Sequence, residues 1–249
     1  MSGFALKLIA IICMTIDHLY KLMPDFISML PDISIVIPGG AISLLGIVAL
    51  LGRMAFPLFA FCVAEGALHT KNIEAYLTRL FIFAVISELP FDYAFFGGIN
   101  LGSQNVIWTF FFGVLAVYLY KRLKSSMLIA LYVVLATAVV CYLFKTDYNT
   151  IGVILIFVMY VIKNKPLKIF AVLGIICAYY LYVKGLFIAV YSSNAFDTLN
   201  RSLSLIATSS SVIFMALYNG RKGVGMKWFF YIYYPLHLIA LSFIDKLWF

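Results

Sequence analysis

Long apolar runs separated by short polar connections repeat along the whole chain. Windows of about 20 apolar residues, enough to cross hydrocarbon as a helix, fall near residues 4–23, 41–67, 79–98, 104–120, 126–144, 149–163, 168–186, 200–218 and 228–247. The expected fold is therefore all-α, a polytopic integral membrane helical bundle of about nine transmembrane helices, the second long and the sixth short. Residues 24–40, with three prolines and two aspartates, are too broken to span and are expected at the interface. Residues 97–103 (GGINLGS) read as a tight turn. The segment HTKNIEAYLTR between the second and third windows is amphipathic and basic, and is expected along the membrane surface.

Composition agrees with this pattern. Hydrophobic residues make up 65% of the chain and charged residues 11%, with a mean hydropathy of +1.06. That charge is less than half the roughly 25% of a soluble domain. Spans and connections consume nearly all 249 residues, so a single transmembrane domain, 1–249, is expected. The first window has no small-residue cleavage site and carries ionisable residues inside its apolar run, so it is expected to remain in the mature protein. Cys13, Cys62, Cys141 and Cys177 sit inside apolar windows without paired spacing, which argues against disulfides or a metal site.

The distribution of positive charge sets an expected orientation. Lys7, Lys71, Arg79, Lys121, Arg122, Lys124, Lys163, Lys165, Lys168, Arg221, Lys222 and Lys227 fall on one side, against Lys21, Lys145, Lys184, Arg201 and Lys246 on the other. The richer side is read as cytoplasmic, with the N-terminus there and the C-terminus outside. Topology and anionic lipid then account for the net charge of +8, and no nucleic-acid partner is needed.

The polar residues inside the windows carry the candidate chemistry. The first window, FALKLIAIICMTIDHLYK, holds Lys7, Asp17 and His18, which hydrocarbon rejects unless protein or a wet cavity encloses them. Lys7 and His18 are eleven residues apart, three turns plus about 20°, and share the face Lys7, Ile11, Met14, His18 at a separation of about 16 Å. Asp17 points elsewhere, so an acidic partner for His18 has to come from another segment. The second window adds Arg53, Pro57 to kink the helix, and Glu65 and His69 at its end. In the third, Glu88 and Asp92 share a face on a helix that Pro90 interrupts, and Gln104, Asn105 and Trp108 open the fourth. Counting depth along alternating helices puts His18, Arg53, Glu88 and His237 in the middle or outer half of the membrane, and Lys7, Glu65, His69, Lys71 and Arg79 near the cytoplasmic face.

A histidine, a carboxylate and an arginine at mid-depth fit general acid–base chemistry. Each also has a plainer reading: a structural ion pair for Arg53 with Glu88, a satisfied core histidine for His237, and snorkelling for Lys7.

ALKLIAIICMTIDH, GRMAFPLFAFCVAEGALHTKN, YLTRLFIFAVISELPFD and QNVIWTFFFG together resemble the TraX family, named after the conjugation-operon protein that acetylates the N-terminus of F-type pilin subunits. The likeness is sharpest across residues 5–113. The ending YYPLHL, and the Lys7 to His18 spacing, are similar to patterns in acyltransferase-three-like membrane acyltransferases. The resemblance implies a multi-pass protein of the bacterial cytoplasmic membrane that moves an acetyl group from cytoplasmic acetyl-CoA, as co-substrate, to an unidentified acceptor. That acceptor is a pilin or peptide N-terminus, or another amine or hydroxyl.

On this reading His18 is the base or acyl carrier, with Asp17, Glu88, Arg53 and His237 beside it in the catalytic set. Lys7, Glu65, His69, Lys71, Asn72 and Arg79 face the donor, and Asp92, Gln104, Asn105 and Trp108 face the acceptor. The rival classes are a proton-coupled secondary transporter using the same polar groups as a relay, and a non-catalytic assembly factor of a conjugation or secretion system.

Overall fold

The computed structural model describes residues 1–31, 33–37, 40–123, 126–191 and 195–248. Asp32, Pro38 and Gly39 of the expected interfacial loop and Lys124 of the basic side lie outside the described residues. The chain divides into two compact units, Met1–Phe59 with Ile169–Gly225 and Ala240–Phe249, and Ala60–Lys168 with Met226–Ile239.

The first unit begins with α1 (Gly3–Leu22), capped by the Ser2 hydroxyl, which accepts from the Ala5 amide. Its buried stripe includes Leu6, Ala10, Ile11, Cys13 and Met14, while Leu8, Ile12 and Tyr20 lie on the exposed side. Where a broken loop was expected, the chain forms a short helix, α2 (Pro24–Met29), and an antiparallel hairpin of β1 (Ser34–Ile37) and β2 (Gly40–Ser43). Pro24 suits the start of α2, where its missing N–H costs nothing. The β-branched run Ile-Val-Ile in SIVI gives β1 its local preference.

The second apolar window is one continuous helical stretch, Leu44–His69, with a change of winding midway. It divides into α3 (Leu44–Leu50), a 3-10 turn (Leu51–Met54) and α4 (Ala55–His69). Pro57 cannot donate to the carbonyl of Arg53, so the regular ladder has no continuation across this point. At the turn, Gly52 packs directly on the backbone and Cβ of Asp17, and any added Cβ would collide there. The residues 55–59 open α4 within the first unit, which also holds most of α9 (Lys165–Ala178), its π turn (Tyr179–Val183), α10 (Leu186–Tyr191) and α11 (Ala195–Leu217).

A backbone ladder ties the start of α1 to the segment after α11. The Gly3 amide donates to the Arg221 carbonyl (2.8 Å), Phe4 to Lys222 (3.0 Å), and Asn219 to the carbonyl of Met1 (2.9 Å). Gly223, at φ 73°, passes so close to Ser2 that a side chain there would clash.

The second unit is built on α5 (Ile73–Phe96), α6 (Val106–Arg122), α7 (Met127–Leu143) and α8 (Asn149–Val161), with the opening residues of α12 (Lys227–Trp248). Two expectations are corrected here. The segment expected along the surface is the first turns of α5, because the Asn72 side chain caps it by accepting from the Ala75 amide (2.8 Å) and the apolar period runs on unbroken. Pro90 does not interrupt α5, which continues to Phe96; membrane helices tolerate an interior proline where neighbours meet the freed carbonyl. Gly97, at φ 73°, then ends the helix in the left-handed conformation. Gly113 of α6 lets Ile156 of α8 press against its backbone, and α7 presents Leu128, Leu131, Leu135, Val139 and Leu143 outward.

Three helical stretches among the described residues, Gly3–Leu22, Leu44–His69 and Lys165–Val183, are long and apolar enough to cross a membrane, and Met127–Leu143 and Asn149–Val161 are shorter apolar helices. The protein is an all-α membrane protein, with one small hairpin and an isolated bridge between Gln104 and Thr146 as its β structure among the described residues.

Candidate functional site

In the first unit, Lys7 and His18 are both half-buried, and Ile11 and Met14 between them are 6% and 7% exposed. The shared face read from the spacing therefore turns inward. Asp17 forms an ion pair with Lys21 one turn along. This gives the Asp17 carboxylate a local structural role beside the close approach of Gly52. Arg53, half-buried, sits on the 3-10 turn rather than within a continuous helix.

The second unit has polar clusters at its two ends. At the end where α5 leads into α6, Glu88 accepts from the Asn105 amide N (3.3 Å), the Asn105 side-chain Nδ2 (2.6 Å) and Trp108 Nε1 (2.7 Å). Asn105 is fully buried; it also donates to the Ala84 carbonyl (2.8 Å) and accepts from the Ile107 amide (3.0 Å), so one residue caps α6 and clamps α5. Phe81 and Phe144 meet the Trp108 indole edge to face at 5.5 and 5.1 Å.

Asp92, 2% exposed, accepts from the Asn100 amide through Oδ2 (3.0 Å), while its buried Oδ1 has no hydrogen-bond partner. The Gln104 backbone pairs with the loop after α7, accepting from the Asp147 amide (2.8 Å) and donating to Lys145 (3.0 Å). His237 donates from Nδ1 to the Tyr233 carbonyl (2.9 Å) and stacks on the Tyr233 ring at 5.0 Å, which fixes its ring and leaves Nε2 as the basic nitrogen of the neutral form.

At the other end, Glu65 faces Lys168 (3.2 Å) and His69 (3.7 Å), and the His69 ring donates to the Glu65 carbonyl (2.9 Å). Lys168 is 8% exposed and lies over the Phe61 ring. Arg79 stacks over Tyr76 (5.7 Å) with Tyr231 beside it, and Lys71 is exposed in the α4–α5 connection. Asn72 caps α5 through its side-chain oxygen. Lys163, between α8 and α9, donates to the Tyr160 carbonyl (2.7 Å); burial first, then the charges of Lys168 and Lys121, hold its ammonium pKa below the ordinary lysine value.

The structure thus joins Glu88, Asn105 and Trp108, which the sequence had assigned to different tasks, and pairs Glu65 with a lysine 103 residues away that no local pattern marks. Among the described residues no group of three or more His, Cys, Asp and Glu is arranged to hold a metal.

Apolar helices that enclose a lysine, a histidine and hydrogen-bonded carboxylates define an all-α membrane protein with chemistry-bearing groups in its interior. The chain belongs to the TraX protein family, whose model matches residues 2–245. It is similar to a probable fimbrial assembly protein FimC, serogroup H1, of Dichelobacter nodosus, with 28% identity over 262 residues that cover 96% of this chain and 94% of the relative. No solved structure matches the chain.

Proposed function

We propose that this protein is a membrane acetyltransferase acting in the assembly of a pilus or fimbria. It takes acetyl groups from cytoplasmic acetyl-CoA and passes them to an amine or hydroxyl acceptor. The observation that carries the reading is the inward face of α1, where Lys7 and His18 stand half-buried at the two ends of a buried apolar stripe. Membership of the TraX family and the assembly role in the fimbrial relative's name support it.

In the reaction, His18 accepts the acceptor's N–H or O–H proton as that atom attacks the thioester carbonyl. The C–S bond breaks, the acetyl group stays on the acceptor, and the coenzyme A thiolate takes up a proton. His18 carrying the acetyl group transiently is the covalent form of the same step. Lys7, on the same face of α1 as His18, is the donor-side cation, and Arg53 of the same unit neutralises developing charge. The proposal includes nine crossings of the bacterial cytoplasmic membrane with the N-terminus inside, so a reporter fused after Phe249 should read external.

The test is thiol release from acetyl-CoA by purified protein with an acceptor peptide. His18→Asn keeps some hydrogen bonding but cannot exchange a proton near neutrality, so it should lower the rate on the order of 10²- to 10⁴-fold. His237→Asn should cost less. A folded His18→Asn protein with near-normal transfer would overturn the mechanism. The name of the fimbrial relative favours a second reading, an assembly factor without catalysis, under which no preparation consumes the thioester.

A further inference from the structure

The hairpin of β1 and β2 has two unlike faces. Ser34 stands opposite Ser43, Ile35 opposite Ile42 and Val36 opposite Ala41, and the Leu44 amide donates to the Ile33 carbonyl (2.9 Å), carrying the pairing one residue further. Opposite residues of an antiparallel pair point to the same side, as do positions two apart on one strand. Ile33, Ile35, Ile42 and Leu44 therefore share one face, and Ser34, Val36, Ala41 and Ser43 share the other. The aliphatic face lies open: Ile33, Ile35 and Leu44 are 72%, 63% and 51% exposed. At its far end it meets the Phe196 ring of α11, against which Gly40 fits because it has no side chain, and this contact seats the hairpin within the first unit. Beyond Leu44 the same surface continues. Leu44, Ile47, Val48 and Leu51 recur at the spacing of one helical face, all are exposed, and they open Leu44–His69, a stretch long and apolar enough to cross a membrane. The open face of the hairpin is thus one end of the surface that this stretch offers to hydrocarbon. Its residues are isoleucine and leucine, not the tryptophan, tyrosine and arginine that anchor protein partners.

We propose that the hairpin is an amphipathic membrane anchor that lies flat on one leaflet, with the face of Ile33, Ile35, Ile42 and Leu44 in the acyl chains and the face of Ser34 and Ser43 toward the headgroups. Its depth is bounded by its own backbone. A two-stranded sheet has two open edges, and their N–H and C=O groups cannot be left unpaired in hydrocarbon. The strands therefore stay at the boundary, with the aliphatic side chains reaching about 5–10 Å below it, as in other interfacial amphipathic elements. The partner is the upper part of the lipid chains, whatever headgroup they carry. In this way the connection from α1 to α3 is held to the leaflet at which α1 ends. The anchor goes beyond the acetyl-transfer reading and does not depend on it.

The test uses the full-length protein in phosphatidylcholine vesicles whose acyl chains carry bromine either near the headgroup or near the chain end. Ile35→Trp and Val36→Trp are neighbours on opposite faces, both at exposed positions, and each is read as the fluorescence added to that of wild type. Bromine near the headgroup should quench the Ile35→Trp increment about twofold or more harder than the Val36→Trp increment, and harder than bromine near the chain end does. Iodide supplied on both sides of the vesicle should quench Val36→Trp and spare Ile35→Trp. Ile33→Trp, on the same face as Ile35, should repeat the Ile35→Trp result, so that a local disturbance by one bulky ring does not decide the outcome. Equal quenching of the two faces, or iodide reaching Ile33→Trp and Ile35→Trp while bromine does not, overturns the anchor. Shielding of both from bromine and iodide alike shows a protein cover and also overturns it; the cover is a second copy if the shielding disappears when the protein is diluted in lipid.

Discussion

At one end of the second unit Glu88 is met by neutral donors, the Asn105 backbone and side-chain amides and the Trp108 indole; at the other, Glu65 is met by the cation of Lys168. Both carboxylates are substantially withdrawn from water, yet they are satisfied in different ways. Neutral donors fixed by a helix cap and a packed indole cannot leave without breaking the fold around them. A lysine on a flexible four-carbon stem can exchange one anion for another with little movement of the backbone. The Glu88 end is therefore a joint between α5 and α6 fixed by several neutral donors, while the Glu65 end depends on one cation.

The largest expected effect lies at the rigid end. Asn105→Leu removes a cap and both side-chain bonds that span α5 and α6, leaving Glu88 short of donors. It should destabilise the protein by about 2–4 kcal/mol in thermal melts in detergent. A shift no larger than that of a lipid-facing substitution such as Leu131→Ala would show that the joint carries no stability.

The Glu65 end should behave as a coupled pair. Lys168→Gln alone leaves Glu65 without its cation and should cost about 1–3 kcal/mol, and Glu65→Gln together with Lys168→Gln should recover more than half of that loss. Additive losses in the same melts would mean that the two groups do not depend on each other, which would erase the contrast with Glu88.

The smallest effect concerns Lys163, whose folded pKa lies below its ordinary value because of burial and neighbouring lysines. Between the folded pKa and the ordinary value near 10.4, the unfolded chain binds more protons than the folded one, so stability should rise with pH across that window. Below it, the charged form carries its full repulsion. A shallow rise in melting temperature toward pH 10 that disappears in Lys163→Gln would fit; the same slope in both proteins would assign it to other groups.

Much of this architecture is legible from apolar spacing, since the positions of the helices and the inward face of α1 follow from period alone. The shared face of Lys7 and His18 needs only 100° per residue, and the burial of Ile11 and Met14 agrees with it. What could not be read were features decided by partners distant in sequence. The Lys168–Glu65 pair joins residues 103 apart, and nothing near either one announces the other. Asn72 and Asn105 are both helix caps, a role their local sequence does not single out, and only Asn105 also reaches a carboxylate. Pro57 marks the neighbourhood of the 3-10 turn at residues 51–54, but the close packing of Gly52 on Asp17 there belongs to tertiary structure and has no local sign. The prolines between Pro24 and Gly40 argued correctly against a span while concealing a hairpin.

The ladder that joins Gly3 and Phe4 to Arg221 and Lys222 has a consequence for how the chain is made. The first helix leaves the ribosome early, but the strand-like partner that secures its start is not synthesised until more than two hundred residues later. In the interval α1 resides in the membrane with its opening turn unlatched and its charged face without final neighbours. Assembly of the first unit is thus a late event in biosynthesis, and chains truncated before residue 219 should insert yet be recognised by quality-control proteases as unfinished.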